Sequence, residues 1–297
     1  MSHKKAIAIT CFVALMWSLA GFNIKMIEWS PYAIAAGRSL VAVILLAPMV
    51  LRKGFQKIDR YVIGGAICYA AFNYCFITST TLTSSAIAIM MQYTAPIYVA
   101  LLSWLFLRER VGWADIISVG FVFLGMIFFF LDSNSGGSLK GNIVSIFNGI
   151  TFAGISIFLR LQKDGNPALS MYLGNVISAV AGLPIMWNAG MPDTISLLFL
   201  LLAGLLVAVS YTLYAKASTG LSALETVLIP IIDPVMNPVW VFLFLDERPG
   251  ALTIVGAAVI LVSVTIRVVS GLTPSSASRT RGEFRCCPWL HKSNPLR

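Results

Sequence analysis

Apolar stretches of about twenty residues, separated by short polar or basic segments, recur along the whole chain up to residue 272. They fall at Ala6–Ile24, Pro31–Leu51, Tyr61–Ser79, Ser84–Leu107, Trp113–Leu131, Gly141–Leu161, Ala168–Trp187, Leu197–Ala215, Leu221–Leu245 and Leu252–Val269. The hydrocarbon core of a bilayer takes about 20 residues of helix. Barrel strands are about ten residues long and alternate in polarity, and these runs do neither. Lipid offers no partner to an open backbone group, so a spanning segment of this kind must be helical. The pattern predicts an all-α integral membrane protein with ten transmembrane helices. Beyond Thr273 the chain turns polar and rich in Ser, Pro and Arg, which predicts a disordered tail over residues 273–297.

Composition agrees with lipid as the solvent. Of 297 residues, 58% are apolar and only 11% are charged, against about 25% charged in a soluble domain. The net charge of +9 does not point to nucleic acid, because the basic residues sit in the loops. With the N-terminus in the cytoplasm and the sides alternating, the inner segments hold Lys4, Lys5, Arg52, Lys53, Lys57, Arg60, Arg108, Arg110, Arg160, Lys163 and Lys216. The outer segments hold Lys25, Lys140 and Arg248. This positive-inside bias places both termini in the cytoplasm and fits an even number of spans. The first run follows His3, Lys4 and Lys5 like a signal peptide, but no clear small-residue cleavage site ends it, so it reads as a retained span.

The two halves of the chain resemble each other. Ser84 to Gly112 matches Ser222 to Gly250 at an offset of 138, pairing Pro96 with Pro234, Leu107 with Leu245, Glu109 with Glu247 and Arg110 with Arg248. Trp17 and Lys25 fall opposite Phe152 and Arg160 at an offset of 135. Halves of five spans, an odd number, must lie in opposite orientation, a common construction of secondary transporters. The predicted units are residues 6–132 and 141–270.

The stretch Met91-Gln-Tyr-Thr-Ala-Pro-Ile-Tyr through Leu107-Arg-Glu-Arg-Val resembles the fourth-span signature of the EamA family in the drug/metabolite transporter superfamily. Pro31, Arg38 and Ala42 resemble its second-span pattern, and Trp17-Ser with Asn23-Ile-Lys25 the end of its first span. The second half repeats the pattern with Asp233-Pro234 and Leu245-Asp-Glu-Arg248, but carries Asn175 where the repeat would place an arginine. The resemblance implies two EamA repeats and carrier-type transport of small organic metabolites, amino acids or drug-like compounds among them.

The ninth run is the most informative for chemistry. Pro230, Pro234 and Pro238 recur every fourth residue. Each lacks an amide hydrogen, which frees the carbonyls of Thr226, Pro230 and Pro234 and predicts a bent or opened helix facing the interior. Pro96 is the single counterpart in the fourth run. Asp233 lies near the middle of the ninth run, where a charge costs about 3 kcal/mol to insert. Three roles are open to it: a coupling proton, a counter-charge to a cationic substrate, or a structural partner. Glu225, nearer the inner boundary, is the second coupling candidate. Arg38 is expected to face the cavity, either paired with Asp233 or holding a carboxylate. Trp17, Asn73, Tyr74, Gln92, Tyr93, Tyr211, Asn237 and Trp240 complete the expected substrate-binding set, since amides in lipid must turn inward and aromatics suit apolar, aromatic or cationic groups. Glu109 and Glu247 are expected at opposite membrane faces, either as interfacial salt bridges or helix caps or as a gate that opens and closes with the cycle.

The expected function is a secondary transporter of the bacterial inner membrane, working by alternating access. Its expected partners are a small organic substrate, the bilayer and a coupling proton; the chain is compatible with a monomer. No GxxxxGK[ST] motif is present to bind ATP. An intramembrane enzyme is the first alternative, but the only histidines are His3 and His291, outside the spans, and a second deep carboxylate is lacking. A channel or lipid-moving protein is the other. No cofactor or metal is expected: Cys11, Cys68 and Cys75 read as packing residues, while Cys286, Cys287 and His291 lack a ligand spacing.

Overall fold

The computed structural model describes residues 1–52, 58–83, 85–102, 113–131, 138–162, 167–221, 225–226, 229–230, 232–245 and 250–272. These form twelve helices and no strand among the described residues. They are α1 (His3–Ser18), α2 (Ala20–Lys25), α3 (Pro31–Arg52), α4 (Arg60–Leu82), α5 (Ser85–Gln92) and α6 (Ala95–Leu102), followed by α7 (Trp113–Leu131), α8 (Leu139–Leu161), α9 (Pro167–Asn188), α10 (Thr194–Ser218), α11 (Ile232–Leu245) and α12 (Ala251–Leu272). Among the described residues, six stretches are long and apolar enough to cross a membrane: His3–Lys25, Pro31–Pro48, Arg60–Leu82, Leu139–Leu161, Pro167–Asn188 and Thr194–Ser218.

The polarity of the bundle is that of a lipid-dissolved protein. Phe12, Ile44, Ile67, Phe123, Leu198 and Leu243 are exposed on the outside, while Arg38, Asn73, Gln92, Asn148, Asn175, Asp233 and Asn237 are buried within. In water this arrangement would expose apolar patches far beyond what a monomer tolerates. In lipid it costs nothing outside and gathers the polar groups where they can find one another.

Capping residues fix where several helices begin. The Asp59 carboxylate accepts the amides of Tyr61 and Val62 at 2.9 and 2.8 Å, starting α4. Asp193 accepts those of Ile195 and Ser196 at 3.0 and 3.4 Å, so α10 begins three residues before the predicted Leu197. Such side chains satisfy amides that a helix leaves unpaired at its first turn.

Three predicted spans are not continuous helices. The first is broken at Leu19, between α1 and α2. The fourth is broken at Tyr93 and Thr94, between α5 and α6, immediately before the proline at position 96. In the ninth, predicted from Leu221, residues 225–226 are helical, a turn follows at residues 229–230, and α11 begins at Ile232. Glu109, Arg110, Glu247, Arg248, the tail, and the side chains of Pro96, Pro234 and Pro238 lie outside the described residues.

The helices pack in defined pairs: α4 against α8 and α9, α3 against α9 and α10, α1 against α10 and α11, α5 and α6 against α8, and α7 against α12. Small residues permit the close crossings. Gly204 on α10 meets α3 so tightly that a methyl group there would lie 2.9 Å from the carbonyl oxygen of Arg38.

Candidate functional site

The three helix breaks converge. Where the α1–α2 break passes α11, the Asn237 side-chain amide donates to the Ser18 carbonyl at 2.9 Å and the Trp240 indole to the Ser18 hydroxyl at 3.1 Å. The Ser18 hydroxyl itself turns back onto the Leu15 carbonyl at 2.8 Å, a local bond that competes with regular helix. Gly21 leaves room for this contact. A methyl group there would lie 2.8 Å from the Asn237 amide nitrogen.

Tyr93, in the α5–α6 break, reaches across to the turn before α11. Its hydroxyl donates to the Pro230 carbonyl and lies 3.2 Å from Asp233 Oδ2. A hydroxyl carries one proton, so these two acceptors share it. The Pro230 carbonyl also accepts the Asp233 backbone amide at 3.2 Å. The Thr226 carbonyl accepts the Tyr214 hydroxyl at 3.3 Å. Two of the carbonyls that the prolines were expected to free are therefore served by tyrosines from other helices. Asp233 itself sits in the first turn of α11, where the positive end of the helix dipole favours a negative charge.

Beside this junction lies a cavity of about 30 Å³ within the bundle, lined among others by Trp17, Asn23, Arg38, Gln92, Tyr211 and Asp233. That volume holds about two waters. Its polar side chains are almost wholly buried: Asn23 is 2% exposed, and Arg38, Gln92 and Asp233 are each 3%. Among the described residues, Asp233 Oδ1 has no hydrogen-bond partner, and neither does either end of the Asn23 amide. Apart from Ser210, the rest of the wall is apolar, with Phe72, Phe76, Leu206 and Val207.

Arg38 and Asp233 face this one cavity but form no ion pair. The Arg38 Nε donates to Asn73 Oδ1 at 2.8 Å, and its Nη2 donates to the same oxygen. Asn73 is held in turn by Ser39 Oγ at 2.9 Å and the Ala35 carbonyl at 3.3 Å. The guanidinium also lies 5.8 Å from the Phe76 ring centre, within cation–π range. Trp17 is fixed by its indole donating to Ser210 Oγ at 3.0 Å and by rings of Tyr211 and Tyr214, each 5.0 Å away.

Of the ten residues expected to bind substrate, Trp17, Arg38, Gln92, Tyr211 and Asp233 thus line one cavity. Asn73, Tyr93, Asn237 and Trp240 stand behind it and position the lining groups or the breaks. Tyr74 lies apart, its hydroxyl donating to the Ser178 carbonyl at 2.7 Å. Glu225 also lies apart, 3.0 Å from the His3 ring nitrogen and about one-third exposed. Asn23 and Ser210 were missed. Asn23 falls at the polar end of its apolar run, where a boundary residue is the ordinary expectation, yet it is buried on α2. Outside the bundle, the Ser196 hydroxyl and the amides of Ser196 and Ile195 hold the Asp193 carboxyl below the usual carboxylate range.

A model of the EamA-like transporter family matches residues 4–131 and again 139–269. The pseudopaline exporter CntI of Pseudomonas aeruginosa is 25% identical over 233 residues, covering 76% of this chain and 82% of that protein. Solute carrier family 35 member G1 of Mus musculus is 24% identical over 283 residues, 86% of this chain and 76% of the relative. The uncharacterized transporter YwfM of Bacillus subtilis is 24% identical over 248 residues, covering 80% and 84%. A solved crystal structure superposes with a TM-score of 0.70 at 13% identity, covering 92% of this chain and 100% of that one, a likeness that speaks for the fold alone. These relatives are named as transporters, which points away from an enzyme.

Proposed function

The chain belongs to the EamA-like transporter family, and from that premise we propose that it is a secondary carrier moving a small organic solute by alternating access around the Asp233 cavity. The observation that carries this reading is the meeting of three helix breaks at a cavity holding a buried carboxylate oxygen with no partner among the described residues. A structural carboxylate would be satisfied by its surroundings, since a buried unpaired acceptor costs about 1–3 kcal/mol. Broken helices at the centre of a bundle are the usual setting of a carrier site.

Ten spans in two inverted five-helix repeats, residues 6–132 and 141–270, belong to the same proposal. The helix packing supports it. Let α1 and α2 correspond to α8, α3 to α9, α4 to α10, α5 and α6 to α11, and α7 to α12. Exchanging the halves then turns α4–α8 into α10–α1, α4–α9 into α10–α3, and α5–α8 into α11–α1, while α3–α9 and α7–α12 map onto themselves. The observed pairs come in mates, as a two-fold relation requires. The proposal includes a bacterial inner membrane with both termini in the cytoplasm, an orientation that the charge bias of the loops supports.

Asp233 is proposed as the proton-coupling group. Glu225, tied to His3 at the rim, fits a closing contact better than a coupling role. Similarity to an exporter favours outward movement. The test is Asp233→Asn in reconstituted vesicles loaded with a defined metabolite mixture. Expected is insertion and folding as in the parent protein with solute movement lost. Solute movement at the parent rate would sink the reading.

A further inference from the structure

Corresponding contacts close the bundle at its two ends, and their chemistry differs. At the end proposed as cytoplasmic, the start of α1 packs on the chain that follows α10. Ala6, Leu221 and Ile229 bury together with Ile7 and Cys11 against them, and a methyl group on Gly220 would lie 3.1 Å from the Ala6 Cβ. On this segment the His3 ring nitrogen lies 3.0 Å from a Glu225 carboxylate oxygen. At the other end, the start of α8 packs on the chain that follows α4. The Leu82 carbonyl accepts the Ser138 amide at 3.1 Å, and the Thr83 hydroxyl donates to Asn142 Oδ1 at 2.8 Å. A methyl group on Gly141 would lie 2.9 Å from the Thr83 Cβ. The offset of 138 that relates the halves carries Thr83 onto Leu221 and Gly141 onto His3, so the two contacts are mates. Both are closed at once, one with an imidazole and a carboxylate, the other with neutral groups.

From this asymmetry we propose that the His3–Glu225 contact is a pH-sensitive latch on the cytoplasmic gate, closed by acid and released by alkali. This deepens the carrier reading and rests on it. Imidazole is the side chain whose ordinary titration falls between about pH 5 and 8. Protonated, it turns the contact with Glu225 into an ion pair; neutral, it leaves a hydrogen bond alone. The mate contact at the outer end has no such group. The other charged groups on the elements packed at the latch are Lys4 and Lys5 on α1, Lys216 in the last turn of α10 and Arg160 in the last turn of α8, whose Nη1 donates to the Leu221 carbonyl at 3.2 Å. Lys163 and Asp164 lie outside the described residues. Lysine and arginine side chains titrate well above the histidine range. An α-amino group, as at Met1, titrates nearer to it, and substituting His3 leaves that group in place. His3 is about half exposed and Glu225 about one-third. Water therefore screens the pair, and protonation shifts the closing equilibrium by about 1.4- to 5-fold. A factor of that size trims the rate of the carrier and does not switch it off. Acid in the cytoplasm holds the inner gate shut while the neutral outer contact opens as before, so the bundle shifts toward facing outward.

The test uses the purified full chain in detergent, with Cys11, Cys68, Cys75, Cys286 and Cys287 replaced by serine and with Leu221→Cys in the latch. Leu221 is 2% exposed, so N-ethylmaleimide reaches a thiol there when the latch opens. Thiol reactivity itself rises with pH, so each variant is compared with this parent at the same pH. His3→Gln keeps a neutral donor and loses the charge. It should label about 1.4- to 5-fold faster than the parent at about pH 5.5, and at the parent rate at about pH 8.5. Glu225→Gln should remove the difference between His3 and His3→Gln. His3→Arg, charged throughout, should label like the parent in acid and more slowly than the parent in alkali. A His3→Gln effect of the same size at both pH values, no effect at either, or an effect that persists beside Glu225→Gln overturns the proposal. Gating is read in the loaded vesicles. Oxidising the pair Ala6→Cys and Gly220→Cys to a disulfide should stop solute release, and reduction should restore it; release at the full rate with the disulfide formed removes the gate. A latch insensitive to pH leaves the carrier standing, and release of no solute by the unsubstituted protein removes both.

Discussion

Tyr93→Phe isolates the contact that joins two of the helix breaks. The substitution keeps the buried ring and removes only the hydroxyl. The Pro230 carbonyl is not orphaned by the loss, since it still accepts the Asp233 amide at 3.2 Å. Asp233 is affected more. Among the described residues Oδ1 has no partner and Tyr93 makes the only side-chain hydrogen bond to Asp233, so the variant leaves both carboxylate oxygens without a partner there. A hydrogen bond to a charged group contributes about 1.5–3 kcal/mol in soluble proteins. Inside membranes, double-mutant cycles average about 0.6 and reach about 1.7 kcal/mol. The membrane figures apply here, and the charged acceptor argues for their upper half, so Tyr93→Phe should cost about 1–1.7 kcal/mol. The assay is reversible unfolding in mixed micelles of the parent protein, Tyr93→Phe, Asp233→Ala and the double variant. A coupling energy of that size is expected. Additivity within about 0.3 kcal/mol would refute the claim that Tyr93 acts through Asp233.

Asn73→Ala removes the acceptor that Arg38 engages with two nitrogens, so by the membrane figures a loss of about 1–3 kcal/mol is expected for the two bonds, checked by the same unfolding measurement. Gly21→Ala drives a methyl group onto the Asn237 amide and should cost about 1–3 kcal/mol by overpacking; adding Asn237→Ala should recover part of the loss, and no recovery would place the strain elsewhere. At the start of α10, the Asp193 carboxyl lies below its ordinary range, so its contribution is present above that range and disappears as the pH falls through the lowered value. The gap in unfolding temperature between the parent protein and Asp193→Ala should therefore hold steady at neutral pH and close in acid. A gap that widens in acid would contradict the cap.

Hydrophobic run length and charge spacing made the helices legible, because in lipid a span must be apolar, long and internally bonded. Asp233, Arg38 and Gln92 were legible as inward-facing for the same reason. The proline spacing also announced an opened ninth span. What it could not announce was the answering group: Tyr93 and Tyr214 reach the freed carbonyls from helices more than a hundred and about a dozen residues away in sequence. The break at Leu19 had no proline to mark it. It arises from Ser18 and Asn237 acting together across the bundle, and neither residue signals it alone. The contact of Arg38 with Asn73 instead of Asp233 is likewise a matter of helix rotation, which periodicity does not fix.

The mated packing of the helices bears on energy as well as on symmetry. A carrier that alternates must keep its two end states close in free energy, because a bias of about 5.5 kcal/mol separates a population of 1:99 from one of 99:1. In the two-fold arrangement proposed for these halves, a state that closes α1 on α11 at one membrane face has as its mirror a state that closes α5 and α6 on α8 at the other. The surface released in one direction is regained in kind from the other half. Near-degeneracy then follows from duplication and needs no tuning of individual contacts. The residues that differ between the halves tilt the balance, and two of them, Arg38 against Asn175 and Asp233 against its uncharged counterpart, are ones that a solute or a proton would touch.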